Sequence, residues 1–363
     1  LDNIELNPLD QKTDEEIIPY DILEHAIVRW VQQDTLNIPI VTTELSHKDH
    51  LGTLKIRCGF SRDQYKIPTG LYGIGQPDQN SEVLVSANYK YTFDVLRKDL
   101  KGLNIWILVL DTQGINVWCA AGKGTFSSRE LIYQLKKCHL KEWLKHRRLI
   151  LPQLGAGSME PHLVRKHSGF KIDYGPVRSG DLKAYFDQNK TCNESMRQVT
   201  FNLKERTELI PVEVKNSLKY FLVLSLCLYI LSFLGPNSHS MGFSQNILAL
   251  TWAFFLGTVA FPIVLPILPF NRFTMKGWFL GVIGGISYMA YIGTRYHGRL
   301  FTFQKLGSFI GIQVIVSVLG LIFTGSTPYT SYSNVDRETR KSLPYYLVLG
   351  LSSICLIIVS NWI

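Results

Sequence analysis

Trp106-Ile107-Leu108-Val109-Leu110 is apolar at every position and runs directly into Asp111-Thr112-Gln113-Gly114. Alternate residues of a strand point to opposite faces, so a strand with no polar position is one covered on both sides. The run therefore predicts a central strand, and the polar turn after it marks the carboxyl end. On either side, between about residues 52 and 215, short β-rich runs alternate with amphipathic stretches. Strands are expected at 54–58, 83–87, 105–111, 149–154 and 170–174, and helices at 92–100, 117–123, 127–138 and 181–188. Ser127-Ser128-Arg129-Glu130 has the spacing of a capping box, and Asp181 can cap the helix after it. Such alternation argues for an open α/β sheet with ligands at the carboxyl ends of its strands. Gly70-Leu71-Tyr72-Gly73-Ile74-Gly75 does not fit a dinucleotide fingerprint and reads as a turn. Residues 1–50 read as a polar, irregular extension with one helix-like stretch at 20–33.

From about residue 217 the texture changes. Five apolar stretches, 217–235, 246–270, 276–295, 306–325 and 344–362, each approach the roughly 20 residues that cross a hydrocarbon core. Pro262, Pro266 and Pro269 should kink the second stretch or end it early. Gly281/Gly285 and Gly307/Gly311 are small-xxx-small pairs, either sites of close helix packing or scattered glycines. Of the 38 Lys and Arg, 29 precede residue 216, as do 27 of the 29 Asp and Glu. The first part is nearly balanced, and most of the net +9 belongs to the apolar part. It sits at the ends of spans, which excludes a nucleic-acid surface as its reason. No span contains an internal acid, which argues against an ion or proton pathway. Residues 1–216 are expected on the cytoplasmic side of a multi-pass inner (plasma) membrane protein. Arg272, Lys276 and a 326–343 loop bearing Arg337, Arg340 and Lys341 then also lie inside, as the positive-inside rule asks. Arg295, Arg299 and Lys305 fall outside, against it. The apolar residues near Leu1 are broken by Asp10-Gln11-Lys12-Thr13-Asp14-Glu15-Glu16, so no secretory signal is expected there.

The six cysteines, at 58, 119, 138, 192, 227 and 355, form no C-x-x-C pair, so neither a zinc site nor a self-contained iron–sulfur cluster is indicated. The nine histidines are unclustered, and the sequons at Asn189 and Asn193 are short enough to arise by chance. Cys119 stands apart. It follows the central strand and the Gly114 turn, on a segment that can begin a helix, where a thiol is biased toward the thiolate. Ala120, Ala121, Gly122 and Gly124 then give a low-relief surface on which a broad, flat ligand could lie. From these residues alone two readings stay open, a buried structural cysteine beside a Gly-rich turn or a ligand-facing thiol.

The stretch Asn116-Val117-Trp118-Cys119-Ala120-Ala121-Gly122-Lys123-Gly124-Thr125-Phe126 resembles the cap-helix signature of the HgcA family of mercury-methylating corrinoid proteins. The resemblance extends to Val85-Ser86-Ala87-Asn88-Tyr89-Lys90, Leu149-Ile150-Leu151-Pro152-Gln153-Leu154-Gly155, Tyr174-Gly175-Pro176-Val177-Arg178 and Thr324-Gly325-Ser326-Thr327-Pro328-Tyr329-Thr330-Ser331. It implies a Rossmann-like α/β corrinoid-binding domain, 51–215, followed by an all-α five-helix transmembrane domain, 216–363. The cap motif maps onto Asn116, Val117, Trp118, Cys119, Ala120, Ala121, Gly122 and Lys123. Ser86, Thr92, Val117 and Ser179 fall at positions associated with the cofactor pocket. Ser86 stands where the family often has Thr, and Gly157-Ser158-Met159 diverges from the pattern.

The implied activity is transfer of a methyl group from a cobalt(III) corrinoid to inorganic Hg(II), forming methylmercury. The Cys119 thiolate would be the lower axial cobalt ligand. A methyl-folate-type system would supply the methyl group, and a separate ferredoxin-like iron–sulfur protein (HgcB-like) the electrons. Two rivals remain. A corrinoid methyl carrier of the acetyl-CoA pathway is expected to carry cysteine-rich cluster ligands and no spans. A non-enzymatic membrane ligand-binding protein would hold a ligand without chemistry.

Overall fold

Two units make up the chain in the computed structural model, which describes residues 19–33, 36–61, 64–233, 240–295, 300–330 and 332–362. One holds the described residues up to Ile56 together with Phe60–Val199, and the other holds Arg57–Gly59 with Thr200–Ile363. In the first, the order is β1 (Ile27–Gln33), β2 (Leu36–Val41), α1 (His47–Arg57), β3 (Gly70–Ile74), β4 (Val83–Ala87), α2 (Lys90–Asp99) and β5 (Ile105–Leu110). There follow α3 (Val117–Lys123), α4 (Ser128–Lys137), α5 (Leu140–Trp143), β6 (Arg148–Leu151), α6 (Pro161–Ser168), β7 (Lys171–Tyr174) and α7 (Leu182–Asp187).

The strands form one mixed sheet in the order β1-β2-β3-β5-β4-β6-β7. The four neighbours β5, β4, β6 and β7 are parallel, whereas β3 runs antiparallel to β5 and β1 to β2. The central apolar run is β5, buried along its whole length. Trp106, Leu108 and Leu110 join one core with α3, α4 and α6, while Ile105, Ile107 and Val109 join the other with α2 and α7. That two-sided covering is what the unbroken apolar run requires.

Three expectations fail here. The 20–33 stretch is two short 3-10 turns, Tyr20–Ile22 and Glu24–Ala26, followed by β1. Its polar residues belong to an outer strand with exposed positions, so its spacing could be taken for helix. Gly70–Ile74 is strand β3, not a turn. A Cβ on Gly73 would stand 2.3 Å from Ile40 Cδ1, so the glycine serves packing between strands. Residues 54–58 are not a strand but the end of α1. Ser46 Oγ accepts from Asp49 N at 3.3 Å and Ser46 N donates to Asp49 Oδ2 at 2.8 Å, and this reciprocal pair starts the helix. The alternation that suggested a strand buries only Ile56, leaving Leu54 exposed. At the other helix starts, Ser127 Oγ accepts from Glu130 N as expected, but the Asp181 side chain makes no cap bond. Residues 1–18 of the expected N-terminal extension lie outside the described residues.

The second unit is helical, with α8 (Leu203–Thr207), α9 (Ile210–Leu231), α10 (Ser240–Phe255), α11 (Phe261–Val264), α12 (Phe273–Arg295), α13 (Leu300–Ile322) and α14 (Tyr332–Trp362). Among the described residues, four helical segments are long and apolar enough to cross a membrane: Leu203–Leu231, Phe243–Val264, Phe303–Ile322 and Ser333–Ser360. The third expected span forms α12, but it is not among the four. Its glycines at 277, 281, 284, 285 and 293, with Trp278, Tyr288 and Tyr291, dilute its apolar character. The second span ends at Val264, after a π-helical turn at Leu256–Ala260. Pro262 has no N–H to donate back into that turn, which accounts for the widening, and the helix stops just before Leu265-Pro266. The glycine pairs mark close packing, since a Cβ on Gly281 would lie 2.7 Å from the Gln313 Cα and one on Gly311 2.9 Å from Ser353 Oγ. The expected 326–343 loop is helical from Tyr332, so Arg337, Arg340 and Lys341 lie on α14, with Arg340 paired to Asp336 one turn away at 3.0 Å. Arg299 and Ser331 fall outside the described residues.

Candidate functional site

The chain leaves β4 to form β5 on one side and β6 on the other, and this reversal makes a topological switch point at the carboxyl ends of β4 and β6. β4 stays paired with β5 out to Ala87–Leu110, but among the described residues its pairing with β6 is confined to Leu84–Ile150. Pro152 follows β6 directly and has no N–H to continue the ladder, so the two strands part at that end. The segments after β4, β5, β6 and β7 border this opening.

Asn88, the first residue after β4, is fully buried and organises the next loop. Its Oδ1 accepts from Thr112 N at 3.1 Å and Gly114 N at 3.0 Å, and its Nδ2 donates to Asp111 Oδ1 at 3.2 Å. Gln113 and Gly114 both take positive φ, so the turn after β5 is tight and depends on these bonds. Glu130 on α4 holds the same turn from the other side, accepting from Asp111 N at 3.0 Å. The turn delivers Asn116, whose Oδ1 accepts from Cys119 N at 2.9 Å and caps α3.

On α3, Val117 and Ala120 point into the core, Cys119 and Ala121 are half-buried, and Trp118, Gly122 and Lys123 are exposed. Gly124 ends the helix at φ 77°, so its glycine is explained by the C-cap. Gly122 is different. It has no positive φ, and a Cβ there would meet nothing within 4 Å; the same holds for Gly157. Neither backbone strain nor packing within the chain asks for glycine at these two positions. α3 packs against the 3-10 turn Gln153–Ser158 that follows β6. Gly155 in that turn is needed for contact, because a Cβ would stand 2.5 Å from the Phe126 ring. Ser158 Oγ donates to Phe126 O at 2.5 Å, and Met159 Sδ accepts from Ser128 Oγ at 3.8 Å. The divergent residues Gly157-Ser158-Met159 thus brace the Cys119 segment.

The hydroxyl candidates lie elsewhere. Ser86 is buried in β4 between Val85 and Ala87, which face the α3 side, so it points to the α2 side. Thr92 is half-buried in the first turn of α2. Ser179 Oγ donates to Asp99 Oδ2 at 2.5 Å, at the end of α2 farthest from Lys90. The α3 motif therefore gathers on one face of the sheet and these three on the other, with the β4–β6 opening between. Among the other thiols, burial pushes Cys138 up to about 12, outweighing Lys137 and a backbone hydrogen bond from Leu71, and Cys192 is also raised by burial. Both are held as neutral thiols. Among the described residues no group of three His, Cys, Asp or Glu could hold a metal ion.

One feature of this region had no sequence signal. Lys90, at the start of α2, binds Asp49 at 2.5 Å and Asp94 at 2.6 Å, and Arg97 binds the same two carboxylates at 2.8 Å each. All four are buried, and their charges cancel. His25 Nε2 lies 2.9 Å from Asp49 Oδ1. Burial alone would raise the Asp49 carboxyl, but hydrogen bonds from Lys90, Ser46 and His25 hold it well below the usual carboxylate range. The cluster locks α2 to α1 directly beyond Asn88. Only the i,i+3 and i,i+4 spacings of Asp94 are local; Asp49 comes from 41 residues upstream of Lys90.

Residues 45–184 match the sequence family of the CO dehydrogenase/acetyl-CoA synthase delta subunit. Similar proteins include acetyl-CoA decarbonylase/synthase complex subunit gamma 2 of Methanosarcina thermophila, 32% identical over 135 residues, 35% of this chain and 28% of that protein. The gamma subunits of Archaeoglobus fulgidus and Methanopyrus kandleri are 28% and 29% identical, over 35% of this chain and 27% and 28% of theirs. The chain thus matches little more than a quarter of the length of these relatives. The family match begins just before α1 and ends within α7, so it takes in the residues described above as bordering the switch point, and over about a third of its length this chain is homologous to those gamma subunits.

Proposed function

We propose that the α/β unit binds a corrinoid and that the chain is a corrinoid-dependent methyltransferase on a membrane anchor, with Cys119 as the residue that would hold its cobalt. The observation that carries this reading is the setting of Cys119. It is half-buried, its backbone is fixed by Asn116, and it neighbours Gly122, where nothing in the chain calls for glycine. A broad, flat group lying on α3 fits that surface. A bound corrinoid supplies a cobalt centre that accepts a methyl group and yields it to an acceptor. The chain's part is to hold the sulfur in place, with Val117 and Ala120 rooting α3 in the core. Across the β4–β6 opening, Ser86 and Thr92 offer hydroxyls to the cofactor's tail. Were the corrinoid bound, the Cys119 sulfur would be the chain's own donor to its cobalt, the kind of soft ligand by which a protein tunes a metal centre.

Two acceptors are in view. The cap motif around Cys119 supports Hg(II) as substrate and methylmercury as product. The comparisons support instead a methyl carrier serving an acetyl-CoA-forming complex, since the relatives are subunits of acetyl-CoA decarbonylase/synthase. In either case a methyl-folate-type system is the proposed donor and a separate ferredoxin-like iron–sulfur protein (HgcB-like) the proposed source of electrons. The helical unit would be embedded in the plasma membrane as a multi-pass anchor, α12 crossing with the four more apolar helices and the α/β unit lying in the cytoplasm.

The full chain, purified without oxygen, loaded with corrinoid and charged with isotopically labelled methyl, tests the choice. Offered Hg(II) in one vessel and acetyl-CoA synthase with CO and coenzyme A in another, it should yield labelled methylmercury if mercury is the substrate. Labelled acetyl-CoA alone would establish the carrier reading, and label retained in both vessels would contradict both.

A further inference from the structure

α1 buries its charge and exposes its leucines. Asp49 and Ile56, seven residues apart and therefore on one face, are its buried side chains, and Asp49 is its only acid. On the opposite face Leu51 is 66% exposed and Leu54 60%, and Phe60 just beyond the helix is 54% exposed. Among the described residues from 64 to 198 the one exposed large apolar side chain is Trp118, so these leucines are an exception in the α/β unit and call for cover. Lys48 and Lys55 flank them on one side and His50 on the other, all exposed. With Asp49 turned inward, the outer face of α1 is basic as well as apolar.

The last residues of this segment belong to the helical unit. α1 runs on into Arg57-Cys58-Gly59, which group with Thr200–Ile363. Within that unit Arg57 pairs with Glu208 at 3.3 Å, and Gly59 O accepts from Lys215 Nζ. The apolar run of α9 begins at residue 217, directly after Lys215. Lys55 is four residues from Gly59. That is about 6 Å along a helix, inside the distance of about 8 Å over which the potential of a charged membrane surface acts. A protein partner matches this face poorly, because lysine is depleted from protein interfaces. Leucines bordered by lysines suit a layer of anionic headgroups instead, the apolar side chains dipping below the ammonium groups.

We infer that the outer face of α1 seats on an anionic lipid surface, with Leu51, Leu54 and Phe60 entering the headgroup layer and Lys48 and Lys55 meeting lipid phosphates. The inference rests on the reading of the helical unit as membrane-embedded. Asp49 ties α1 to Lys90 and Arg97 on α2, so a seated α1 holds the α/β unit to that surface.

The full chain in nanodiscs of phosphatidylcholine, alone or mixed with phosphatidylglycerol, provides the test, each disc carrying a phospholipid with a diazirine at the glycerol end of its acyl chain. After photolysis, peptide mapping of the mixed discs should find residues 47–60 labelled more heavily than α6, which exposes Arg165 and Lys166 but no leucine. Lys55→Gln should lower the label on 47–60 about five-fold in the mixed discs and leave it unchanged in phosphatidylcholine alone. Leu51→Ser combined with Leu54→Ser should abolish it in both, and because both side chains are exposed, hydrogen exchange should find α2 as protected as in the wild type. Label on 47–60 no heavier than on α6, or unmoved by either set of substitutions, would overturn the inference. Label that rises when the leucines are replaced would mean that a protein surface covers them, and would overturn it too. Absence of label at Leu222 and Leu226 on the outward face of α9 would contradict the membrane reading itself, whereas their labelling without that of 47–60 would strike at this inference alone.

Discussion

Gly114 N donates to Asn88 Oδ1 at 3.0 Å, so one carboxamide at the end of β4 fixes the turn that ends β5 and starts α3. Cys119 is five residues further on, and its position depends on this bond. Asn88→Ala would strand the amides of Thr112 and Gly114, at about 1–3 kcal/mol for each buried unpaired donor. Hydrogen exchange on the full chain should show residues 111–124 losing protection while β5 keeps its own. Asn88→Asp keeps the acceptor but loses the donor and sets a second carboxylate against Asp111, so it should not restore the wild-type protection.

The Asp49–Lys90–Asp94–Arg97 cluster gives the α/β unit an acid limit. The folded pKa of Asp49 lies below its unfolded value of about 3.9, so its stabilisation is complete above that pH and is lost as pH falls toward the folded pKa. Protection of α1 and α2 should be the same at pH 7 and pH 5 and should fall below about pH 4. Asp49→Asn leaves Lys90 and Arg97 underpaired and should cost about 3–5 kcal/mol at pH 7, with a flatter acid response.

Two glycines near Cys119 should part in their behaviour. Gly155→Ala drives a methyl into the Phe126 ring and should destabilise the unit by about 1–3 kcal/mol. Gly122→Ala adds a Cβ that meets nothing within 4 Å and replaces a poor helix former, so α3 should be as stable or more so. It should nonetheless weaken corrinoid binding at least ten-fold, measured by equilibrium dialysis. Unchanged affinity would contradict the placement of the ligand over α3.

If α12 crosses the membrane with the four more apolar helices, the two ends of the helical unit lie on opposite sides. A reporter that is active only outside the cytoplasm, fused after Ile363, should then be active while one fused before residue 19 is silent. Activity at neither end would place α12 on the membrane surface or within the protein.

The parts of this architecture that were legible in the sequence are those with local causes. β5 announced itself because burial on both faces leaves no polar position, and the start of α4 because Ser127 and Glu130 have the spacing of a capping box. The early end of the second span followed from its prolines, Val264 closing the helix just before Leu265-Pro266. β3 was missed because Gly73 serves contact with Ile40, a partner 33 residues away, and α1 because a short alternation with little burial imitates a strand. The role of Asn88 was hidden for the same reason. Its partners come from the next strand's turn, and nothing in Ala87-Asn88-Tyr89 distinguishes a structural hub from an ordinary turn residue.

The central claim is that the Cys119 thiolate binds cobalt. The direct measurement is the anaerobic absorption spectrum of the corrinoid-loaded full chain, recorded for the wild type, Cys119→Ala and Cys119→His, with bound corrinoid quantified in each. The account predicts that all three retain corrinoid, that Cys119→Ala shifts the cobalt bands away from those of a sulfur-ligated centre, and that Cys119→His gives a third, nitrogen-ligated spectrum. Identical spectra for wild type and Cys119→Ala at equal corrinoid occupancy would contradict it.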